Sequence, residues 1–522
     1  MKNSSLNGKG FRFTKALSVA ALAGLTFSFG VNSANADTLV DVVSATDGER
    51  FYEMFADENV EVDLGVMGGA NSSLTIEGSG YSVNGQAHSG ITVQNGQVLN
   101  ISGVDGSNSS DELAGAGFSG FLKDESMTRS SGRGNFEGGA VLRVLQGATV
   151  NFSGTNSISN NVYTSLLTAN ASSSSTNVTA EATGGIISNA GNISDISPDF
   201  LNNYVKISGK RTKGRPNSYL YGGIIGNKGV IGNIAGNFEN NTVESNSGNY
   251  IYIRVYGGLI SNEAATSNSS SSIGNISGQI KNNNITPSTV YGGILANRSQ
   301  NSGSRATIGN IESDIIGNNS TGNLIYNYSY QYGYSSIGNI TGLIKENNTS
   351  GSLLYNYAEK YSTSNLGYIS ASIVENNVSS NRILGGILSN EVREGSSITV
   401  NGLGAIVNNK ILGQHGINGG IIHNIAGTKS DNRIVIGDTT GSISGNVVQN
   451  TGRDSYGGNS IVGGLIFNRL QEGDTSNSSI SMGDILGGIS DNTIIASGGD
   501  YASISGGLIY NDCRSSEANI YI

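Results

Sequence analysis

The chain has 522 residues, a formal charge of −10, 77 glycines, 3 prolines and one cysteine. An acidic surface repels nucleic acid and anionic membranes, so we expect neither as a partner. A single cysteine excludes an internal disulfide framework. Low charge and high polarity are typical of disordered chains, but the regular recurrence of paired Ile, Leu and Val residues favours an ordered fold.

Residues 1–36 are predicted to be an export signal. Four basic residues and no acidic ones precede or flank an apolar run at 16–31. The small residues Ala34 and Ala36 predict cleavage before Asp37, which would leave a mature chain of charge −14. A membrane anchor is the alternative, but two glycines interrupt the apolar run.

The next segment lacks the repeat found later in the chain. Residues 91–104 read as two short strands around the turn signal Asn95-Gly96. Residues 109–136 mix glycine, serine and charged residues without any period. We therefore predict a loop or flexible excursion at 109–136.

A six-residue motif, typified by GGIIGN at 222–227, then recurs to the end of the chain. An early copy, GGAVLRV, begins at Gly138, and ten later copies end in Asn at a mean spacing of about 36 residues. Such a period indicates a solenoid, propeller or array. These ten copies begin at Gly184, Gly222, Gly257, Gly292, Gly322, Gly351, Gly385, Gly419, Gly463 and Gly506.

Two shorter pieces recur between the motif copies. One is IGNI, as at 231–234, and the other is Ile or Phe followed three residues later by Asn, as in Ile280 and Asn283. Both are too short for helices and rich in β-branched residues. We predict an all-β fold in which each repeat is one rung of a parallel β-helix with about three short strands. Residues 37–130 would hold the cap and first rungs, and residues 131–522 the repeat.

The asparagine that ends the motif occurs in all ten copies. Asn tolerates the left-handed backbone of a tight corner, and stacked amides form hydrogen bonds along a stack of strands. We therefore predict a structural Asn ladder at equivalent corners, with the glycine pair permitting close turning; a ligand-binding role is the alternative. The ladder residues are Asn189, Asn227, Asn262, Asn297, Asn327, Asn356, Asn390, Asn424, Asn468 and Asn511.

These motifs permit a comparison with a known family. GGAV at 138, the later GG[IL] copies and the paired FxxN or IxxN resemble the GGA[ILV] and FxxN repeats of polymorphic outer-membrane proteins, which belong to the autotransporter (type V secretion) group. The resemblance covers 138–522. It implies a right-handed parallel β-helix passenger, carried by a C-terminal β-barrel and often used in adhesion. No run of amphipathic strands for a barrel precedes Ile522, so we expect this barrel, or another translocator, to be absent from this chain.

Polysaccharide lyases and hydrolases also use the β-helix, so an enzyme is the main rival. Sugar hydrolysis needs converging carboxylates, and acidic residues are sparse in the repeats. The best cluster is Asp431, Arg433 and Asp438 near His415, which we interpret as a solvated corner. His88, His415 and His423 show no metal spacing. We predict no catalytic residues, no metal site and no cofactor.

Two surface features remain as candidates. The segment YNYSYQYGY places tyrosines at period two, hence on one face if the segment is extended, and stacked tyrosines bind sugars or protein through their amphipathic rings. Stacking between adjacent rungs is the favoured alternative. The basic segment 209–216 could meet an acidic glycan, although a solvated excursion is favoured. The tentative binding residues are Tyr328, Tyr330, Tyr332, Tyr334 and Tyr357.

From the sequence we predict an exported protein of the cell surface, outer membrane or extracellular space. It would be a non-catalytic adhesive or structural passenger that presents loops. Its expected partner is a glycan or protein on a host or neighbouring cell. The alternatives are a polysaccharide-degrading enzyme and a self-associating surface-layer protein whose open last rung pairs with another copy.

Overall fold

A computed structural model describes residues 38–46, 48–109, 117–171, 173–246, 252–427, 431–451, 460–471, 478–497, 503–513 and 519–521. The predicted export signal at 1–36 lies outside these residues. Residues 39–522 form one compact unit, distinct from residues 1–38. In the described part of the chain the only helix, Leu39–Ser44, has six residues and is far too short to cross a membrane.

The predicted parallel β-helix is confirmed. Each rung pairs with the next through parallel strands in sheets of up to 14 strands. The three predicted strands are present, and the structure adds a fourth directly after the Asn of the Ile-x-x-Asn piece, as in Asn284–Thr286 after Asn283. This fourth strand begins at the very next residue, with no separate Gly or Pro signal, so the sequence did not distinguish it.

Sheet 1 contains the glycine motif. Its strands are Gly65–Val66, Ile91–Val93, Leu142–Val144, Ile187–Asn189, Ile225–Asn227, Ile260–Ala264, Leu295–Ser299, Ile325–Tyr330, Leu354–Glu359, Leu388–Arg393, Ile422–Ala426, Ile466–Leu470 and Ile509–Cys513. Sheet 2 contains the IGN piece. Its strands are Glu49–Glu53, Ser73–Glu77, Val98–Ser102, Thr149–Ser153, Asn192–Ile193, Val230–Ile231, Ser270–Ile273, Arg305–Ile308, Tyr334–Ile337, Thr363–Ile369, Ser397–Leu403, Arg433–Ile436, Ser479–Met482 and Asn519–Tyr521.

Sheet 3 contains the Ile-x-x-Asn piece. Its strands are Ser157–Ser159, Asp199–Leu201, Phe238–Glu239, Gln279–Lys281, Asp314–Ile316, Ile344–Lys345, Ile373–Val374, Ile406–Val407, Ile443–Ser444 and Ile489–Ser490. A separate three-stranded sheet belongs to the first rungs. Its strands are Glu58–Asn59, Val83–Asn84 and Phe118–Ser119.

Sheet 4 follows the Asn. Its strands are Leu122–Arg129, Val162–Asn170, Tyr204–Lys213, Thr242–Asn246, Asn284–Thr286, Asn319–Ser320, Asn348–Thr349, Asn377–Leu384, Lys410–Asn418, Val447–Asn450, Ser460–Val462, Thr493–Ala496 and Ser503–Ser505. Sheet 5 leads back to the glycine motif. Its strands are Gly132–Asn135, Asn177–Thr183, Arg215–Tyr221, Tyr252–Tyr256 and Val290–Tyr291.

The motif asparagines form the predicted ladder. All ten are in register in sheet 1, and nine of them are buried. The side-chain amide of one Asn donates to the Oδ1 of the next, for example from Asn262 to Asn297 at 2.9 Å. The ladder is interrupted once: Asn356 bonds with Ser364 instead, and the buried Oδ1 of Asn390 has no hydrogen-bond partner.

The predicted corner geometry of these asparagines is wrong, because they lie within strands. The left-handed residue is instead the one before the Asn of the Ile-x-x-Asn piece, such as Asn240 (φ 56°) and Asn282 (φ 55°). That second Asn forms a ladder of its own, which runs without a break from Asn161 to Asn492. Both the backbone N–H and the side-chain amide of each Asn donate to the next Oδ1, as from Asn241 to Asn283 at 2.9 Å for each bond. The second ladder is denser than the first.

The glycine pair of the motif has two separate roles. At Gly257 the φ of +65° belongs to the left-handed region that disfavours a side chain. A Cβ on the following Gly258 would lie 2.4 Å from the carbonyl oxygen of Gly293 and 2.5 Å from Ile285 of sheet 4. The pair therefore lets the chain turn, as the sequence predicts, and the structure adds that it also lets the chain pass close to sheet 4.

The prediction of a loop at 109–136 is wrong for its described part. Leu122–Arg129 and Gly132–Asn135 are strands that pair with Val162–Asn170 and Asn177–Thr183 of the next rung. Hydrogen bonds to that rung stabilise a segment whose own sequence has no strand pattern. Residues 110–116 lie outside the described part of the chain.

The long excursions leave the rungs at one corner and form a projection that we call the fin. It consists of the outer parts of Leu122–Arg129, Val162–Asn170 and Tyr204–Lys213, with the returning strands of sheet 5 beside them. Its two layers bury small and aliphatic side chains, including Leu167, Ala169, Ala180, Ile207 and Leu220. The basic segment 209–216 is therefore an ordered tip of this fin.

Candidate functional site

The outer face of sheet 1 carries a row of adjacent aromatic rings, stacked except for the tilted pair Tyr291 and Tyr326, which we call the aromatic ladder. Neighbouring ring centroids lie 5.0 to 5.6 Å apart across successive rungs. The ladder consists of Tyr221, Tyr256, Tyr291, Tyr326 and Tyr355. It lies beside a second stacked pair, Tyr328 and Tyr357, at 5.4 Å.

The tyrosines of the aromatic ladder come from two different positions in the repeat. The first three tyrosines precede the glycine pair and pack with the small residue Ala296 of sheet 1. From Tyr326 onward, the tyrosine comes from the motif itself, where sheet 5 has ended. The aromatic cover of sheet 1 is thus continuous across this change in the rungs.

The structure brings together only some of the predicted binding tyrosines. Tyr328, Tyr330 and Tyr357 lie on sheet 1, and the ring of Tyr330 lies beside the ammonium of Lys360, 4.6 Å from the ring centroid. The expectation that the tyrosines of 326–334 share one face is wrong, because the chain turns at Gln331 and Tyr332, which both have positive φ.

That turn separates the last two candidates from the others. Tyr332 lies at the corner, 60% exposed, and stacks on Tyr361 of the next rung at 5.3 Å. Tyr334 is in sheet 2, where the Arg305 guanidinium lies 4.3 Å from its ring centroid. The alternation of tyrosines did not predict this turn, because the turn depends on the backbone conformation of residues 331–333.

A buried ion pair lies under the aromatic ladder. The Arg298 Nη1 atom is 3.0 Å from Glu263 Oε1, and both side chains are less than 10% exposed. The guanidinium carbon of Arg298 lies 3.6 Å from the ring centroid of Tyr256. Lys228 Nζ lies 3.8 Å from the other carboxylate oxygen of Glu263. One negative and two positive charges thus meet in one cluster at this position of sheet 1.

Burial and neighbouring charges act in opposite directions on the buried charged groups of this cluster. It raises the pKa of Glu263, against the opposing effect of Arg298 and Lys228. Burial alone would lower the pKa of Arg298, but Glu263 and the neighbouring tyrosines raise it. Burial also raises the pKa of Tyr328 to about 12. The phenol of Tyr328 is therefore a neutral hydrogen-bonding group at physiological pH.

Sequence reasoning missed this ion pair, although a signal was present. Lys228, Glu263 and Arg298 each follow the motif Asn in three successive copies, so their signs alternate at one repeat position. In-register stacking places such residues on adjacent strands. The same position gives Arg469 and Asp512, whose Nε and Oδ2 atoms lie 2.9 Å apart.

The groove along this face has a volume of about 260 Å³. It is lined by Tyr256, Tyr291, Arg298, Tyr326, Tyr328, Tyr355, Tyr357 and Glu359. Rings that stack on one another cover each other's faces, so the groove offers hydroxyls, ring edges and a carboxylate. It suits a hydroxylated or amide-bearing ligand better than one that must stack on an open ring.

The candidate catalytic cluster does not form one site. His415 lies in sheet 4, whereas Arg433 begins a strand of sheet 2. Asp431 has a positive φ in the preceding turn, and Asp438 Oδ1 accepts the backbone N–H of Asp484 at 3.1 Å. Among the described residues, no three His, Cys, Asp or Glu side chains are placed to hold a metal ion.

The last of the three histidines considered in the sequence packs within an aromatic stack. His423 is buried on sheet 1, and its ring stacks on Phe467 at 5.3 Å, which in turn stacks on Tyr510 at 5.7 Å. Burial, with Arg469 and Arg382 nearby, lowers the pKa of His423 to about 3. The residue is therefore a neutral member of a second aromatic stack.

Comparisons of this chain with protein-family models, with curated proteins and with solved structures found no match. The fold and the surface chemistry are therefore the basis for any statement about function.

Proposed function

We propose that this chain is an exported, non-catalytic β-helix protein of the cell surface or extracellular space. It acts there as an adhesive or structural module, with a glycan or protein of a neighbouring cell as its partner. The observation that carries the proposal is the fin. The long excursions of three successive rungs form one ordered projection, while two internal Asn ladders hold the rungs in register.

The architecture supports display rather than catalysis. The regular hydrogen bonds join each rung to the next in the interior of the solenoid. The charged residues that might act on a substrate are spread over different sheets. The resemblance to autotransporter passengers and the predicted export signal favour the same interpretation. Adhesion requires only a stable scaffold and a surface, and the fin and the groove of sheet 1 provide two such surfaces.

The location can be tested in the native cell with an epitope tag inserted at the fin turn near Ser173, where the chain is exposed. We expect external protease to remove the tag from intact cells, whereas a tag that stays protected until lysis would refute export. A cytoplasmic protein serves as the lysis control.

Adhesion is tested with beads coated with the full chain. We expect the beads to attach to neighbouring or host cells more than beads coated with an unrelated acidic protein. Release of reducing ends or unsaturated sugars from polysaccharides by the pure chain would favour the enzyme instead.

A further inference from the structure

The tip of the fin is the most basic part of the molecule. It is formed by residues 126–135, 168–171, 173–178 and 208–217, which contain no acidic residue. Since the whole chain has a charge of −10, the remainder has a charge of −16. The six cations of the tip are Arg129, Arg133, Lys210, Arg211, Lys213 and Arg215.

Strand pairing brings these cations together from two separate parts of the sequence. Arg129 and Arg211 both pair with Ala169, one from each side, which places their Cα atoms about 10 Å apart at the usual strand spacing. In sheet 5, Arg133 and Arg215 similarly flank the strand Asn177–Thr183, two residues apart in register. The sequence shows only one basic segment, at 209–216, because pairing across rungs is not visible in it.

Lysines at the base of the fin form ion pairs with acidic residues, whereas three of the cations at the tip form none with the described residues. At the base, Lys206 Nζ lies 3.0 Å from Glu244, and Lys123 Nζ lies 3.3 Å from Glu137. At the tip, Lys210, Lys213 and Arg215 have no ion pair with any residue that the structure describes. Arg133 is 77% exposed and lies 3.6 Å from Glu181.

We propose that the fin tip binds a linear acidic polysaccharide. The cations that bind it come from two rungs, one at residues 126–135 and the other at residues 208–217, which lie on either side of a third. The repulsion between like charges about 10 Å apart is only partly screened, because the screening length is about 8 Å, and a chain of carboxylates or sulfates bound along the tip would reduce that repulsion. Serine, threonine and asparagine residues around the cations can bond with sugar hydroxyls.

A polysaccharide fits the tip better than a nucleic acid does. Single-stranded nucleic acids are bound through aromatic side chains that stack on the bases, and the three tip segments contain no aromatic residue. A wide duplex would also approach the acidic remainder of the surface. The choice of polysaccharide rests in addition on the proposed function, since an exported protein meets surface glycans.

The test uses the full chain and immobilised polygalacturonate, with neutral dextran and duplex DNA for comparison. We expect binding to polygalacturonate at low salt, no binding to dextran and weaker binding to DNA. The variant K210Q/R211Q/K213Q/R215Q should lose at least tenfold in affinity. The slope of log affinity against log salt should decrease by about 3, as expected for four lost contacts.

Two further variants make the test specific to the tip. R129Q/R133Q should weaken binding several-fold, because these residues belong to the other rung. The control K281Q/R382Q/K410Q/R433Q removes the same charge elsewhere and should bind within twofold of the wild type. Equal loss in the control, unchanged binding by R129Q/R133Q, or stronger binding to DNA would each overturn the inference.

This outcome is separable from that of the proposed function. A chain that reaches the cell surface and adheres to cells but does not bind polygalacturonate would refute only the inference about the tip. A chain that binds polygalacturonate but stays inside the cell would refute only export.

Discussion

At the scale of single residues, small side-chain choices follow from what lies on the next rung. In most copies the second glycine of the motif lies against Val or Ile of sheet 4, as at Gly223 beside Val243, whereas Gly293 lies against a serine of that sheet. The glycine is replaced by Asn323 and Ser352 in the two shortest repeats, where sheet 5 is absent and sheet 4 has only two residues. Side chains thus replace this glycine in the rungs where sheets 4 and 5 are reduced.

His423 gives a residue-scale prediction about acid stability. Its folded pKa is depressed to about 3, from 6.5. Unfolding below pH 6.5 therefore takes up a proton, so the stability is fully present above pH 6.5 and is lost as the pH falls toward 3. We expect the variant His423→Phe, which can keep the ring stack, to avoid this loss. By pH 4 its advantage relative to pH 8 should reach about 3 kcal/mol.

Urea unfolding at pH 4, 6 and 8 would measure this difference. Ser389→Ala is the matched control, because it removes the contact of Ser389 Oγ with His423 Nδ1 at 3.2 Å but keeps the ring. The control should retain the acid sensitivity of the wild type. Parallel pH profiles for His423→Phe and the wild type would contradict the prediction.

At the scale of structural elements, the two Asn ladders are what hold each rung in register with the next. A buried amide that loses its partner costs about 1–3 kcal/mol, and each Asn of the second ladder serves neighbours on both sides. Asn283 accepts two bonds from Asn241 and donates to Asn318 at 2.9 Å and to the Phe238 carbonyl at 2.8 Å.

Replacing Asn283 with Ala is therefore expected to destabilise the protein by about 2–4 kcal/mol, since buried groups of several residues lose partners at once. The exposed neighbour Asn284 is the control: it accepts one bond from Asn319 at the surface, and Asn284→Ala should change stability by less than about 1 kcal/mol. The urea midpoints of the two variants measure the difference. Similar midpoints would mean that the ladder has no special role in stability.

At the scale of the whole molecule, stability should vary along the solenoid. Each rung contacts mainly its neighbours, so such arrays behave as chains of coupled units. In the last described rung, residues at positions that are buried elsewhere are open to solvent, with Ile504 45% and Leu508 49% exposed. The corresponding Ile461 and Leu465 of the preceding rung are fully buried.

Hydrogen exchange followed by mass spectrometry tests this gradient. We expect the amides of 503–513 to exchange much faster than those of the interior strands at 260–264 and 295–299, because fewer contacts oppose local opening. Equal protection of the last rung and the interior would show that another surface covers that rung.

The sequence by itself determined the architecture. Ten Asn-ended motifs at a regular spacing require equivalent positions in one continuous coil, because only in-register stacking gives every Asn the same partner. The turn at the glycine pair followed from the same repetition. A local pattern is sufficient here because each rung contacts mainly its neighbours.

Only the tertiary structure decided which residues meet outside the core. The placement of Arg129 and Arg211 on either side of Ala169, the ion pair between Glu263 and Arg298, and the separation of Tyr334 from Tyr328 depend on strand register and on one turn. Loops of different length hide that register in the sequence. The repeat therefore predicts the rungs, whereas surface sites form between residues of different rungs and appear only once the strands are paired.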